Sequence, residues 1–314
     1  MTTPTRAQVR VLKSLQNQTV DLNRMVATAT ARQQETGQPP PQSWYAEYQA
    51  RAIAREELTN AAYAGGVPRA WIDQVRERGD RGIGWRAELY LRAPEPTDWD
   101  RILGDLDADV QRQREWLALD AAHTKISPAT EPSAAADIDR NLRALHNRTV
   151  GVANLLGLTT EQGHQLWGTT SDWAHAAVEM LDGVPAEQVT QRWQQLARTD
   201  TRAYALQAHA LADAGISILT SAALPSHEEL VPAIRAGLPL PQPLFRPAVT
   251  TGEDIDTAID AANPTRTGTV DVDVETGSAT AVFSHAVAAE AWGDEPAADI
   301  GAPQFVAPGE GYEP

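Results

Sequence analysis

The chain lacks cysteine entirely and contains only two lysines, Lys13 and Lys125, among 26 basic residues. Without cysteine there can be no disulfide, no thiolate metal ligand and no thiol nucleophile. No apolar run approaches the roughly 20 residues that a membrane-spanning helix needs, and the N-terminal stretch MTTPTRAQVRVLK has no apolar signal segment. These absences predict a cytoplasmic protein that has no membrane partner.

Sequence patterns of common enzymes are also missing. The chain contains no G-x-S-x-G motif, no P-loop and no complete G-x-G-x-x-G motif. Glu161 with His164, and Asp172 with His175, have a spacing seen among metal ligands on helices. Such a site also needs further inward carboxylates on long helices, and the matching seams here are apolar. We therefore expect no enzymatic activity, no catalytic residue, no metal and no cofactor.

The net charge of −16 is unevenly distributed along the chain. Residues 1–95 carry 13 basic against 10 acidic side chains, whereas residues 96–223 carry 10 against 17 and residues 224–314 carry 3 against 15. An acidic segment repels nucleic acid, so only the first third can present a phosphate-binding face.

Hydrophobic periodicity predicts a mainly α protein. In a first helix from about Arg6 to Gln34, apolar positions recur every three or four residues, which is the seam of a packed helix pair; the seam consists of Leu12, Leu15, Thr19, Leu22 and Val26. Three prolines at 39–41 end the connection. A second helix begins near Ser43, and a third long helix is capped near Thr97 and continues to about residue 125.

The stretch from Glu57 to Gly79, ELTNAAYAGGVPRAWIDQVRERG, predicts a helix, a Gly-Gly turn and a helix that begins at Pro68. A helix-turn-helix requires a small residue, a turn glycine and three apolar positions that hold the two helices together; these are Ala62, Gly66, Val67, Ile72 and Val75. The stretch resembles the helix-turn-helix of bacterial DNA-binding proteins, in which the turn and second helix often read like AGVSRxTV.

The resemblance implies that the helix after Pro68 lies in the major groove and reads bases or phosphates. The expected nucleic-acid contacts are Arg69, Gln74, Arg76, Arg78 and Arg81. Asp73 and Glu77 on the same helix do not help, because acidic groups repel phosphates. The alternative is an ordinary pair of packed helices in a scaffold or protein-interaction protein that does not bind DNA.

Part of the first unit returns later in the sequence. LRALHNRTV at 142–150 matches LKSLQNQTV at 12–20 in five positions, and GVP occurs at both 66–68 and 183–185. We infer either an internal duplication or chance similarity between alanine-rich helices. The expected domains are a helical unit with the helix-turn-helix at 1–125, a linker at 126–135 and a shorter helical unit at 136–223.

Residues 224–314 read as a proline-rich acidic tail that is largely irregular. Within it, TVDVDVETGSATAVF at 269–283 is a candidate β-hairpin with a turn at Thr276 and Gly277. The composition of the whole chain resembles that of small actinobacterial plasmid or phage proteins. The first functional expectation is a DNA-binding regulatory or accessory protein. Partners other than DNA are a second copy, or another protein bound through the helical seams or the acidic tail.

Overall fold

The computed structural model describes residues 3–87, 89–127 and 132–238. Within these ranges the chain forms ten α-helices and no β-strand, which confirms the mainly α prediction. The helices are α1 (Arg6–Thr36), α2 (Gln42–Ala64), α3 (Arg69–Asp80), α4 (Trp99–Ile126), α5 (Pro132–Leu156), α6 (Thr160–Trp167), α7 (Thr170–Leu181), α8 (Ala186–Ala197), α9 (Arg202–Asp213) and α10 (His227–Gly237). The candidate β-hairpin at 269–283 lies outside the described residues.

Local capping signals determine where several helices begin and end. The Thr5 hydroxyl accepts a hydrogen bond from the Gln8 amide, and the Gln8 side chain accepts one from the Thr5 amide, so this reciprocal cap starts α1. Gly37 ends α1 in the left-handed conformation at φ +67°. The same reciprocal cap, Ser226 with Glu229, starts α10 inside the region that the sequence predicts to be irregular. Residues 227–237 therefore differ from the prediction.

The helices share one hydrophobic core within a compact unit, Met1–Leu244. α1 packs against α2 and α3, whereas α4 packs against α5, α7, α8 and α10. α9 lies against both α2 and α5, and so joins the two halves of the sequence. The segments predicted as separate units, 1–125 and 136–223, thus bury their apolar faces together, and α5 already begins at Pro132 within the predicted linker.

The long helices α1 and α5 share features at an offset of 130 residues. Every buried position of α1 has a buried counterpart in α5, namely Val11 and Asn141, Leu12 and Leu142, Leu15 and Leu145, Gln16 and His146, Thr19 and Thr149, and Leu22 and Val152. The Thr19 hydroxyl donates to the Leu15 carbonyl at 2.8 Å, and Thr149 donates to Leu145 at the same distance. Each threonine therefore satisfies its polar group inside an apolar seam.

The two GVP turns share a left-handed glycine but differ in backbone hydrogen bonding and in packing, since the Val67 amide donates to Ala62 and the Val184 amide to Leu181. Gly66 and Gly183 have φ of +73° and +69°, and each turn leads into a helix of 12 residues. Gly79 of α3 lies against Thr19, so close that an added Cβ would stand 2.6 Å from the threonine Cβ. In the second half the Leu196 carbonyl of α8 instead accepts from Asn141, about two helical turns before Thr149 on α5. The two hairpins therefore dock at different places on their long helices.

The outer parts of α1 and α2 form a helical arm, which we define as residues 23–57. No residue of the arm is buried, since the buried residues of α1 end at Leu22 and those of α2 begin at Leu58. Each helical segment of the arm is about 20 Å long at 1.5 Å per residue. The arm thus extends from the shared core as an antiparallel pair of helices.

Candidate nucleic-acid interface

The helix, turn and helix predicted at 57–79 are present as the end of α2, the turn and α3. The Val67 amide donates to the Ala62 carbonyl at 3.0 Å, which closes the turn around Gly66. The five residues expected to lock the two helices, Ala62, Gly66, Val67, Ile72 and Val75, are all buried. The packing of the motif is therefore as the sequence predicts.

A strap, which we define as residues 85–87 and 89–92, lies along the face of α3 that would enter the major groove. The Gln74 side chain donates from Nε2 to the Tyr90 carbonyl at 2.8 Å and accepts from the Arg92 amide through Oε1 at 2.8 Å. The indole Nε1 of Trp71 donates to the Arg92 carbonyl at 2.8 Å. Both ends of the Gln74 amide are thus bound to the strap and are not free to read adenine.

The strap also neutralises an acidic residue of α3. The Arg92 guanidinium donates to Glu77, with the shorter of its two bonds at 2.7 Å. Leu89 and Leu91 are half-buried against the hydrophobic core, whereas Tyr90 is 68% exposed. Polar and apolar side chains therefore hold the strap on the Trp71, Gln74 and Glu77 face of α3.

The four arginines expected to contact nucleic acid do not form one surface. Arg69 is 82% exposed near the start of α3, with its Nε 3.8 Å from Asp73, and Arg76 pairs with Glu56 at 3.6 Å. Arg78 is partly buried, and its Nε atom has no hydrogen-bond partner. Arg81 is exposed at the other end of α3, about 18 Å from its start for a 12-residue helix.

A cleft of about 470 Å³ lies beside the starts of α3 and α4. Arg69 and Arg101 line it together with Asp73 and Asp98, so the side-chain charges in the cleft are mixed. The Arg101 guanidinium lies 4.3 Å above the centre of the Tyr63 ring and donates to Asp105 at 2.9 Å. Because its cations are already paired with acids or an aromatic ring, the cleft is a weak candidate for a phosphate.

The strap is the feature of the site that the sequence alone does not predict. RAELYLR at 86–92 reads as a short apolar element, either a helical turn or a strand, but its described residues adopt neither form. The alternation of Leu89 and Leu91 with Tyr90 and Arg92 was the available signal, since it places apolar and polar groups on opposite sides of an extended chain. The sequence did not indicate which surface the segment would cover.

Loss of the Gln74 side chain should release the strap. In Gln74→Ala, two hydrogen bonds of about 1 kcal/mol each disappear, so we expect trypsin to cleave after Arg86 and Arg92 about five- to thirtyfold faster. Gln191→Ala on α8, where the side chain is exposed, is the matched control and should leave the cleavage rate unchanged. Equal rates in both variants would show that Gln74 does not hold the strap.

No group of three or more His, Asp or Glu side chains that could hold a metal occurs in the part of the chain that the structure describes. None of the helices in that part combines the length and the apolar character needed to cross a bilayer.

Compared with protein-family models, curated proteins and solved structures, the chain has no match. The functional inference therefore depends on geometry.

Proposed function

We propose that this chain is a non-enzymatic, cytoplasmic helical protein that binds a protein partner through its arm. The observation that carries the proposal is that no residue between 23 and 57 is buried, although the arm contains 35 residues. Helices in proteins take most of their stability from the packing of one face against another element. An arm with no buried residue, which contacts the rest of the chain only at its base through residues such as Asn23, Glu56 and Glu57, leaves most of that stabilising surface for a partner.

The composition of the arm suits a protein interface. Its large apolar side chains include Val26, Tyr45 and Ile53, which are 37%, 51% and 41% exposed. Trp44 and Tyr48 stack with ring centres 5.3 Å apart on the same helix. Aromatic side chains are enriched at protein interfaces, and the arm's seven alanines permit close approach of another helix. These residues make the arm the best candidate for the contact surface.

The strap supports an interaction protein over a DNA-reading one. Trp71, Gln74 and Glu77 are bound to residues of the strap, so the outward face of α3 acts as a packing surface. The other hairpin presents exposed Gln188, Gln191 and Gln194 on α8 and uses Val189, Trp193 and Leu196 for packing. Neither GVP helix presents a row of free basic side chains.

We also propose that the two halves descend from one duplicated unit. The matching burial of α1 and α5 and the equivalent threonine hydrogen bonds support this origin. The different docking of α3 and α8 is then a later change. If the two halves were duplicated, only the first copy has an arm, because α5, the counterpart of α1, is buried along most of its length.

DNA binding through α3 is a second candidate function. It is favoured by the correctly packed helix-turn-helix and by the 82% exposure of Arg69. Because the strap covers Gln74, this function requires the strap to leave α3 first. The two candidates therefore make different predictions for variants in which the strap is released.

A mobility-shift assay separates the two functions. We expect no shift of duplex DNA at low salt from the full chain, nor from a chain that ends at Leu238. The latter lacks most of the acidic C-terminal residues but keeps α10, which covers α7. A salt-sensitive shift by Gln74→Ala that Arg69→Glu with Arg76→Glu abolishes would instead establish DNA binding.

A further inference from the structure

We propose that the partner of the arm is a second copy of this chain, bound through α2 in an antiparallel pair centred on Gln49. This inference rests on the proposed function, because it names the partner of the same surface. The evidence lies in the order of exposed residues along α2 and in the charge of the arm.

The exposed side of α2 carries a stripe with symmetric spacing. Its members follow one another at three, four, four and three residues, which is the spacing of one face of a helix; they are Gln42, Tyr45, Gln49, Ile53 and Glu56, all exposed. Gln49 is the centre, because two members lie at equal sequence distances on each side of it. A stripe of this kind is unchanged in spacing when the helix direction is reversed.

A twofold axis through Gln49 pairs this stripe with itself. Tyr45 of each copy then faces Ile53 of the other. The dimer therefore contains two Tyr45–Ile53 contacts, which bury the two large exposed apolar side chains that α2 has within the arm. An isologous contact has this property, since a contact of one residue with another is always repeated in reverse. The Gln49 side chains meet at the axis, where each amide can donate and accept.

The ends of the pair are also compatible. Glu56 of one copy, which also lies 3.6 Å from Arg76 of its own chain, is opposite Gln42 of the other copy, at the start of its α2. That helix begins after Pro41 with no side-chain cap. A carboxylate near the start of a helix is favourable because the backbone amides there are unpaired and carry partial positive charge.

Charge favours contact between copies at the arm over contact elsewhere. Residues 23–57 contain four arginines and four glutamates, so the arm sums to zero, whereas the whole chain carries −16. Two copies of an acidic protein repel each other over most of their surface. The neutral arm is a place where that repulsion is weak and where charges of both signs can pair.

Cross-linking between single cysteines tests the register, because the natural chain has no cysteine to interfere. A mixture of Tyr45→Cys and Ile53→Cys chains should give a heterodimer with a short bis-maleimide that spans roughly the 8–10 Å between packed helices. Gln49→Cys should cross-link with itself. Gln194→Cys, which is exposed on α8, is the control and should remain uncross-linked.

Light scattering after size-exclusion chromatography tests the association itself. The full chain should show twice its mass of 33.9 kDa, and Tyr45→Glu with Ile53→Glu should restore the single mass. Leu166→Glu with Met180→Glu changes two similarly exposed side chains elsewhere and should stay dimeric. Circular dichroism of each variant shows whether its helices are retained.

The outcomes distinguish this inference from the proposed function. A monomeric chain, or a dimer that survives the Tyr45 and Ile53 substitutions, overturns self-association through α2. If the monomeric chain also leaves duplex DNA unshifted, the proposed interaction function stands with a different protein as partner. If it shifts DNA in a salt-sensitive way, the proposed function fails as well.

Discussion

Asp109→Ala should lower the free energy of unfolding by about 3–5 kcal/mol, measured by urea denaturation. The Asp109 carboxylate is 7% exposed and forms an ion pair with Arg148, which is 14% exposed, and another with Arg112 at 2.9 Å. Burial lowers the pKa of Arg148 from its ordinary value, because desolvation disfavours the charged guanidinium. Without Asp109, the Arg148 charge stays buried without its acidic partner.

The Asp109 ion pair lies within a wider polar network that joins four helices. Arg148 of α5 also donates to Gln207 of α9 at 2.8 Å, and Gln207 donates to Glu57 of α2 at 3.0 Å. On the other side, Arg112 of α4 donates to the Tyr204 hydroxyl of α9 at 2.9 Å. Loss of Asp109 therefore weakens the junction at which the two halves of the chain meet.

Two further variants separate the network from general effects of charge. Asp139→Ala removes an exposed partner of Arg143 on α5, and we expect a loss of at most about 0.5 kcal/mol. Asp109→Leu with Arg148→Met removes both buried charges and should recover most of the stability lost by Asp109→Ala. A loss below about 1 kcal/mol for Asp109→Ala would show that the pair is solvated.

Trp71→Ala should cost about 3–5 kcal/mol of stability and should also release the strap. Trp71 of α3 is 1% exposed in the hydrophobic core, and its indole Nε1 donates a hydrogen bond to the Arg92 carbonyl. The substitution therefore creates a cavity and removes one of the bonds that fix the strap to α3. Urea denaturation measures the first effect, and trypsin cleavage after Arg86 measures the second.

Matched variants separate the effect of the Trp71 cavity on global stability from the effect of its lost hydrogen bond on the strap. Trp99→Ala removes the same side chain where it is 51% exposed, and should change stability by no more than about 0.5 kcal/mol. Trp71→Phe keeps most of the volume but not the donor, so cleavage should accelerate while global stability falls less than in Trp71→Ala. If Trp71→Ala leaves cleavage unchanged, the strap does not depend on this bond.

Much of the secondary structure could be predicted because its signals are local. The periodicity of Leu12, Leu15 and Leu22, the prolines at 39–41 and Gly66 each act over a few residues, and the predicted helices 6–34 and 43–64 match α1 and α2 closely. The short capping signal at Ser226 was available too, but the acidic and proline-rich surroundings concealed it. α10 therefore lies outside the predicted helices although its own start is encoded locally.

The candidate site was only partly predictable for a physical reason. The sequence identifies Gln74 as polar, outward-facing and suited to read adenine, and all of that follows from its place on α3. Whether its amide is free depends on Tyr90 and Arg92, which are 16 and 18 positions away in the sequence. A side chain's hydrogen-bonding role is decided by whatever the tertiary structure brings within 3 Å of it.

By itself the sequence determined α1 to α4, the locked turn at Gly66 and the similar apolar seams of α1 and α5, since these depend on propensities and spacings within one or two turns. The tertiary structure decided the rest. It placed the strap over α3, closed the polar network between Glu57 and Gln207 across 150 residues of chain, and left the arm without a core. Several apolar faces compete for each partner, and only the packing of all of them together selects which pairs are buried and which surface remains exposed.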